Sequence, residues 1–122
     1  MSKYGSYLVC KEHIKDVRDF LSQFFEEKKG EYNHEDWITF EIPGSDFIVN
    51  LMKGESQDLT QNMTFEIDCE SMDKLKEYSE KFNKKIDSFE ATKAKTKYNY
   101  HYIEIPGPEN ICKMEISFSE HL

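Results

Sequence analysis

Two short stretches decide the fold: Phe40-Glu41-Ile42-Pro43-Gly44 and Ile103-Glu104-Ile105-Pro106-Gly107. They share four identical residues in one order, at an offset of 63 positions. Each leads into a further apolar run, Phe47–Lys53 in the first case and Ile111–Phe118 in the second. A strand, a Pro-Gly turn and a second strand make an antiparallel hairpin. Proline is tolerated where a strand ends, because the ladder no longer needs its missing N–H.

Upstream of each hairpin the chain matches itself again. Ser6–Phe24 lies over Thr64–Phe82 at an offset of 58. Tyr7 then meets Phe65, Val9 meets Ile67, and Glu12 meets Glu70. Ile14, Val17, Phe20 and Phe24 meet Met72, Leu75, Tyr78 and Phe82. The last four positions of each copy keep to one helical stripe. Each copy therefore reads as a short strand, a polar break and an amphipathic helix. Ser71 is the expected N-cap of the second helix, and Lys28-Lys29-Gly30 the basic last turn and glycine stop of the first. Glu31–Glu35 and Ile86–Lys93 are candidates for a third strand ahead of each hairpin.

The expected fold is α+β: two tandem βαβββ repeats forming a curved mixed sheet with helices on its outer face. All 122 residues are read as a single domain, with repeat one at about 4–53, a polar connector at 54–62 and repeat two at about 63–119. An unrepeated α+β domain with halves alike by chance is the alternative. Two matched blocks in the same order favour the repeat.

Period-2 alternation assigns the faces. Ile38, Phe40 and Ile42 share a side with His101, Ile103 and Ile105, which should pack under the helices. Trp37, Thr39 and Glu41 share the other with Tyr100, Tyr102 and Glu104. This second side is aromatic and polar together, which suits a surface that grips a ligand. In the last strand Cys112, Met114, Ile116 and Phe118 form the apolar side, opposite Ile111, Lys113, Glu115 and Ser117. Asn50 interrupts the apolar run Phe47–Met52, and either sits on an exposed edge or needs a partner inside a cavity.

Twenty-four Asp and Glu against 16 Lys and Arg give a net charge of −8, which opposes nucleic-acid binding. The one basic cluster, Lys93, Lys95 and Lys97, reads as a solvated strand or loop. Three widely spaced cysteines, Cys10, Cys69 and Cys112, suit free thiols in a reducing compartment. With no apolar leader and no run long enough for a membrane span, a soluble cytoplasmic protein is expected. No P-loop, GxGxxG or GxSxG motif occurs.

A twofold βαβββ chain opening on Tyr7–Phe25 and closing on Pro108-Glu109-Asn110-Ile111-Cys112-Lys113-Met114-Glu115 resembles the glyoxalase / bleomycin resistance / extradiol dioxygenase superfamily, the vicinal oxygen chelate fold. That resemblance implies, in metal-using members, a first-strand His and a last-strand Glu or Gln from each half around a divalent ion. Here the first-strand positions fall near Ser6 and near Asn62–Thr64, without His, and the last-strand position of the first half falls on Asn50. Only Glu115 matches. His13, His34, His101 and His121 lie elsewhere. No metal site and no cofactor are therefore expected, and no catalytic residue is identified.

The resemblance implies a small-molecule-binding protein of the bleomycin resistance type. Trp37, Thr39, Asn50, Tyr100, Tyr102 and Glu115 are the candidate ligand-binding residues, and a planar or cationic molecule is the expected ligand. Glu115 beside Tyr100 or Tyr102 serves either acid–base chemistry or a structural hydrogen bond to a tyrosine. Two alternatives stand beside this: a metal-dependent lyase or dioxygenase with an unconventional metal site, and a dimeric assembly or regulatory module without a ligand. Members of the fold often pair, so a homodimer is expected.

Overall fold

A computed structural model of the chain describes residues 3–28, 35–54 and 63–122. In chain order the elements are β1 (Tyr4–Val9), α1 (Ile14–Leu21), β2 (Glu26–Glu27), β3 (Trp37–Glu41), β4 (Phe47–Met52), β5 (Met63–Asp68), α2 (Met72–Phe82), β6 (Asp87–Lys93), β7 (Thr96–Pro106) and β8 (Cys112–His121). This is βαβββ twice. The strands form two four-stranded sheets, ordered β1-β4-β3-β2 and β5-β8-β7-β6. Two compact units follow the repeats, except that Gly107–Cys112 belongs with the first and Lys113–Leu122 with the second.

In the first unit β1 runs parallel to β4, and β3 pairs antiparallel with both β4 and β2. One face of this sheet carries Leu8, Ile38, Phe40, Val49 and Leu51, all buried, and α1 packs on β4 with Val17 and Leu21 fully covered. At roughly 25 cal/mol per Å² of apolar surface, this burial supplies most of the unit's stabilisation. The expected basic last turn at Lys28-Lys29-Gly30 is not where α1 ends. The helix stops at Leu21: the Ser22 hydroxyl shares the Arg18 carbonyl with its own N–H, and the next bonds tighten to Gln23 N–H on Phe20 and Phe24 N–H on Leu21. Serine competes for nearby carbonyls in this way, and a tightened last turn is a common helix end. The chain is already extended at Glu26–Glu27, where the Glu27 carboxylate meets Arg18 at 2.7 Å. The third strand of this repeat is thus β2; the candidate at Glu31–Glu35 lies largely outside the described residues, as do Gly30 and most of the connector.

In the second unit α2 begins as expected. The Ser71 hydroxyl accepts from the Lys74 N–H at 3.2 Å, and Asn83 ends the helix in the left-handed conformation (φ 51°). Leu75 is fully buried, along with Ile103, Met114 and Ile116 on the sheet, with Phe65 close behind. The candidate at Ile86–Lys93 forms β6, the edge strand.

The two repeats correspond in the structure at offsets that differ from those of the sequence match. The Cys10 N–H donates to the Met52 carbonyl at 2.8 Å, and the Cys69 N–H to the Ser117 carbonyl at 2.7 Å. Cys10 and Cys69 are therefore equivalents, 59 residues apart, and Leu8 rather than Tyr7 is buried on β1, as Phe65 is on β5. The helices keep the 58-residue offset, as the buried pair Val17 and Leu75 shows. The spare residue of the first repeat sits in the 3-10 turn Lys11–His13, where Lys11 takes φ 48°. In the hairpins Glu41 pairs with Ile48 and Pro106 with Lys113, each pair of equivalents 65 residues apart, so the literal Ile-Pro-Gly match is slipped by two.

Candidate functional site

The faces turned away from the helices carry every candidate ligand-binding residue, distributed over both units. In the first sheet Tyr7, Asn50 and Thr39 form one row across β1, β4 and β3. The Thr39 hydroxyl donates to the Asn50 Oδ1 at 2.7 Å. Asn50 is not on an edge: β4 lies between β1 and β3, and the amide is half-buried with a side-chain partner. Trp37 is half-buried one row along, opposite Met52. Tyr7, on the same face, is 61% exposed.

The second sheet brings Tyr100, Tyr102 and Glu115 together. Tyr100 and Tyr102 stack with centroids 5.7 Å apart, and Phe89 from β6 closes the group at 5.2 Å and 5.9 Å from the two rings. Phe89 remains 51% exposed, so the cluster presents a ring surface to its surroundings. The Tyr100 hydroxyl donates to Glu115 Oε1 at 2.6 Å. Burial, then the Glu115 hydrogen bond, pushes the Tyr100 phenol up to about 12, while a hydroxyl contact from Ser117 pulls the other way. Glu66 of β5 adds its negative charge to the same phenol. The result is an aromatic surface with carboxylates set beside it.

Phe89, Ser117 and Glu66 are site residues that the sequence reading does not single out. Phe89 is the one large apolar residue of β6, and it faces the same side as Tyr100, its cross-strand partner. Ser117 shares a side with Glu115 by alternation, whereas Glu66 has no comparable signal and is distinguished only by its charge near Tyr100.

Asn50 and Glu115 occupy equivalent positions, 65 residues apart, in β4 and β8. They are the two last-strand positions at which the resemblance implies metal ligands. The donor set does not fit such a group. Asn50 offers an amide oxygen already bonded to Thr39, Glu115 is bonded to Tyr100, and Thr64 at the first-strand position of the second half is exposed. Among the described residues no three His, Cys, Asp or Glu side chains converge as metal ligands would. Burial pushes the thiols of Cys10 and Cys112 up to about 12 and about 11, which disfavours the thiolate that a metal needs. A separate open pocket of about 380 Å³ lies where β5 meets α2, lined by Cys69, Ser71, Lys74 and Tyr78 among others. Burial raises the Cys69 thiol as well. No helix among the described residues is long and apolar enough to cross a membrane.

With its two βαβββ units, each a mixed sheet backed by a helix, the chain has the fold of solved glyoxalase and bleomycin resistance proteins. Among solved structures it is similar to a glyoxalase/bleomycin resistance protein from a Streptomyces species, at TM-score 0.56 and 11% identity over 97% of this chain and 100% of that one. It is similar to lactoylglutathione lyase from Agrobacterium tumefaciens at TM-score 0.57 and 9% identity, covering 96% of this chain and 92% of that one. A fosfomycin resistance protein from Listeria monocytogenes aligns over 100% of this chain and 91% of its own, at TM-score 0.51 and 15% identity. No family model matches the sequence, and no curated protein sequence matches it. At these identities the likeness is one of fold.

Proposed function

We propose that this protein binds a planar, cationic small molecule without a metal, on the ring surface of the second sheet. The observation that carries this reading is the Tyr100–Glu115 hydrogen bond inside the Phe89, Tyr100 and Tyr102 cluster. Rings supply stacking area at low conformational cost, and a neighbouring carboxylate supplies the counter-charge. The net charge of −8 steers a cation towards the protein. Tyr7 and the half-buried Asn50, held by Thr39, offer a second, neutral surface that accepts hydrogen-bonding groups. The likeness to bleomycin and fosfomycin resistance proteins supports a ligand-binding role for the fold.

Isothermal titration calorimetry with a panel of planar aromatic cations, in buffer containing EDTA, tests this. Binding is expected for at least one, with Tyr100→Ala and Glu115→Gln each weakening it about threefold to thirtyfold, the range of a ring–cation contact. No binding across the panel, or binding that appears only when a divalent ion is supplied, would refute the reading. The second outcome would favour the metal-dependent alternative.

A further inference from the structure

On the helix side of the second sheet, away from the ring cluster, Ser88 of β6 lies opposite His101 of β7. Their side chains meet, with Ser88 Oγ 2.5 Å from His101 Nδ1. The other imidazole nitrogen, Nε2, is buried without a hydrogen-bond partner, and the nearest acid is Glu120 Oε1 at 3.8 Å. The ring lies parallel to Phe118 at 6.5 Å, and its side chain is only 13% exposed. Asn99 donates to the same Glu120 oxygen at 3.4 Å, which holds the carboxylate near the imidazole. Ser88 itself is exposed, on a strand that pairs with β7 alone among the described residues.

We propose that Ser88 and His101 form an acyl-transfer site, with Glu120 as a positioning residue. A reachable hydroxyl on a sheltered imidazole, with a carboxylate towards the far nitrogen, is the arrangement a nucleophilic serine requires. The negative charge at Glu120 favours the tautomer with its proton on Nε2, which leaves Nδ1 free to accept from Ser88. In the step, Ser88 Oγ bonds to the carbonyl carbon of an ester while its proton passes to His101 Nδ1. The carbon–alkoxide bond then breaks, and the proton leaves with the alcohol. Water attacks the acyl-serine by the same route, releasing the acid and restoring Ser88. An edge strand turns alternate backbone N–H groups outward, so a donor for the oxyanion lies on the open side of β6. Glu90, on the same face as Ser88, joins Glu120 in disfavouring anionic acyl groups. The substrate class is therefore a small neutral acyl ester.

The test treats the full-length protein with p-nitrophenyl acetate near neutral pH and locates acetyl groups by peptide mass spectrometry. An acetyl on Ser88, absent in Ser88→Ala and formed about 10²-fold more slowly in His101→Gln, is the expected result. Glu120→Gln should slow acetylation and Glu120→Asp restore it, which a purely structural carboxylate would not do. Should His101→Gln fail to fold, His101→Asn replaces it, with circular dichroism as the check on folding. Acetyl groups confined to lysines or the N-terminus, or Ser88 acetylated as fast in the folded His101 variant as in the wild type, would overturn the proposal. None of these outcomes depends on whether the ring surface binds a cation.

Discussion

The Tyr100 hydroxyl donates to Glu115 at 2.6 Å across the β7–β8 pair, four residues along β8 from its own cross-strand partner Ser119. The phenol reaches along the sheet instead of standing beside its neighbour, and it is held protonated there, pushed up to about 12. An unfolded tyrosine ionises near about pH 10, so between there and 12 the folded state binds the extra proton. Its contribution to stability is complete below about pH 10 and is lost as the pH rises through the folded value. The difference in 295 nm absorbance between wild type and Tyr100→Phe should show a phenol titrating at about 12. A difference curve centred near about 10 would mean that neither the burial of the phenol nor its bond to Glu115 persists in solution.

Thr39 and Asn50 form the corresponding polar pair of the first sheet. Thr39→Val removes the donor and leaves the Asn50 carbonyl without it, at an expected cost of about 1 kcal/mol in urea denaturation. Replacing both, as Thr39→Val with Asn50→Leu, should recover part of that loss, since the Asn50 amide is then no longer left without its Thr39 donor.

The two Pro-Gly turns are alike in sequence and differ in what they ask of glycine. Gly44 has φ 78° with open space around it, whereas a Cβ on Gly107 would stand 2.4 Å from the Cys112 carbonyl oxygen. Gly44→Ala should therefore cost about 1–2 kcal/mol of left-handed strain. Gly107→Ala should cost more, because backbone cannot move aside as a side chain can. Equal losses in thermal unfolding would contradict the distinction.

The β6–β7 hairpin turns on Ala94 and Lys95, both left-handed, at φ 50° and 67°. Neither residue favours that region, which belongs to Asn-Gly in two-residue turns. Ala94→Asn with Lys95→Gly should raise stability by about 1 kcal/mol, read as an increased denaturation midpoint with an unchanged slope.

The fold was legible because its repeat was. Hairpins ending in Pro-Gly and helices with a buried stripe each announce themselves locally, and Ser71 caps α2 as its hydroxyl foretells. The register between the repeats was not legible. The identical Ile-Pro-Gly residues attract a match that is slipped by two, and an even slip leaves every side chain on its correct face. Hence Ile103 and Ile105 fall on the core face in either register, as their burial shows. The opening strand was slipped by one, an odd number, which placed exposed Tyr7 opposite buried Phe65. Period-2 patterning could not correct this, because Tyr7, Leu8 and Val9 are all plausible core residues. The ring cluster was half legible: Tyr100 and Tyr102 share a strand, but Phe89 joins them only through the pairing of β6 with β7.

The extra residue at the Lys11 turn also restricts how the two halves can be recombined. A chimera that fuses the opening strand of one repeat to the helix of the other, cut at matching letters, inherits the wrong phase. Its strand would turn its apolar side chains to water while its helix still faced inward. Only a junction that carries the whole Lys11–His13 turn with its own strand keeps both elements in step, so that short turn sets the cutting point for any hybrid of the two repeats.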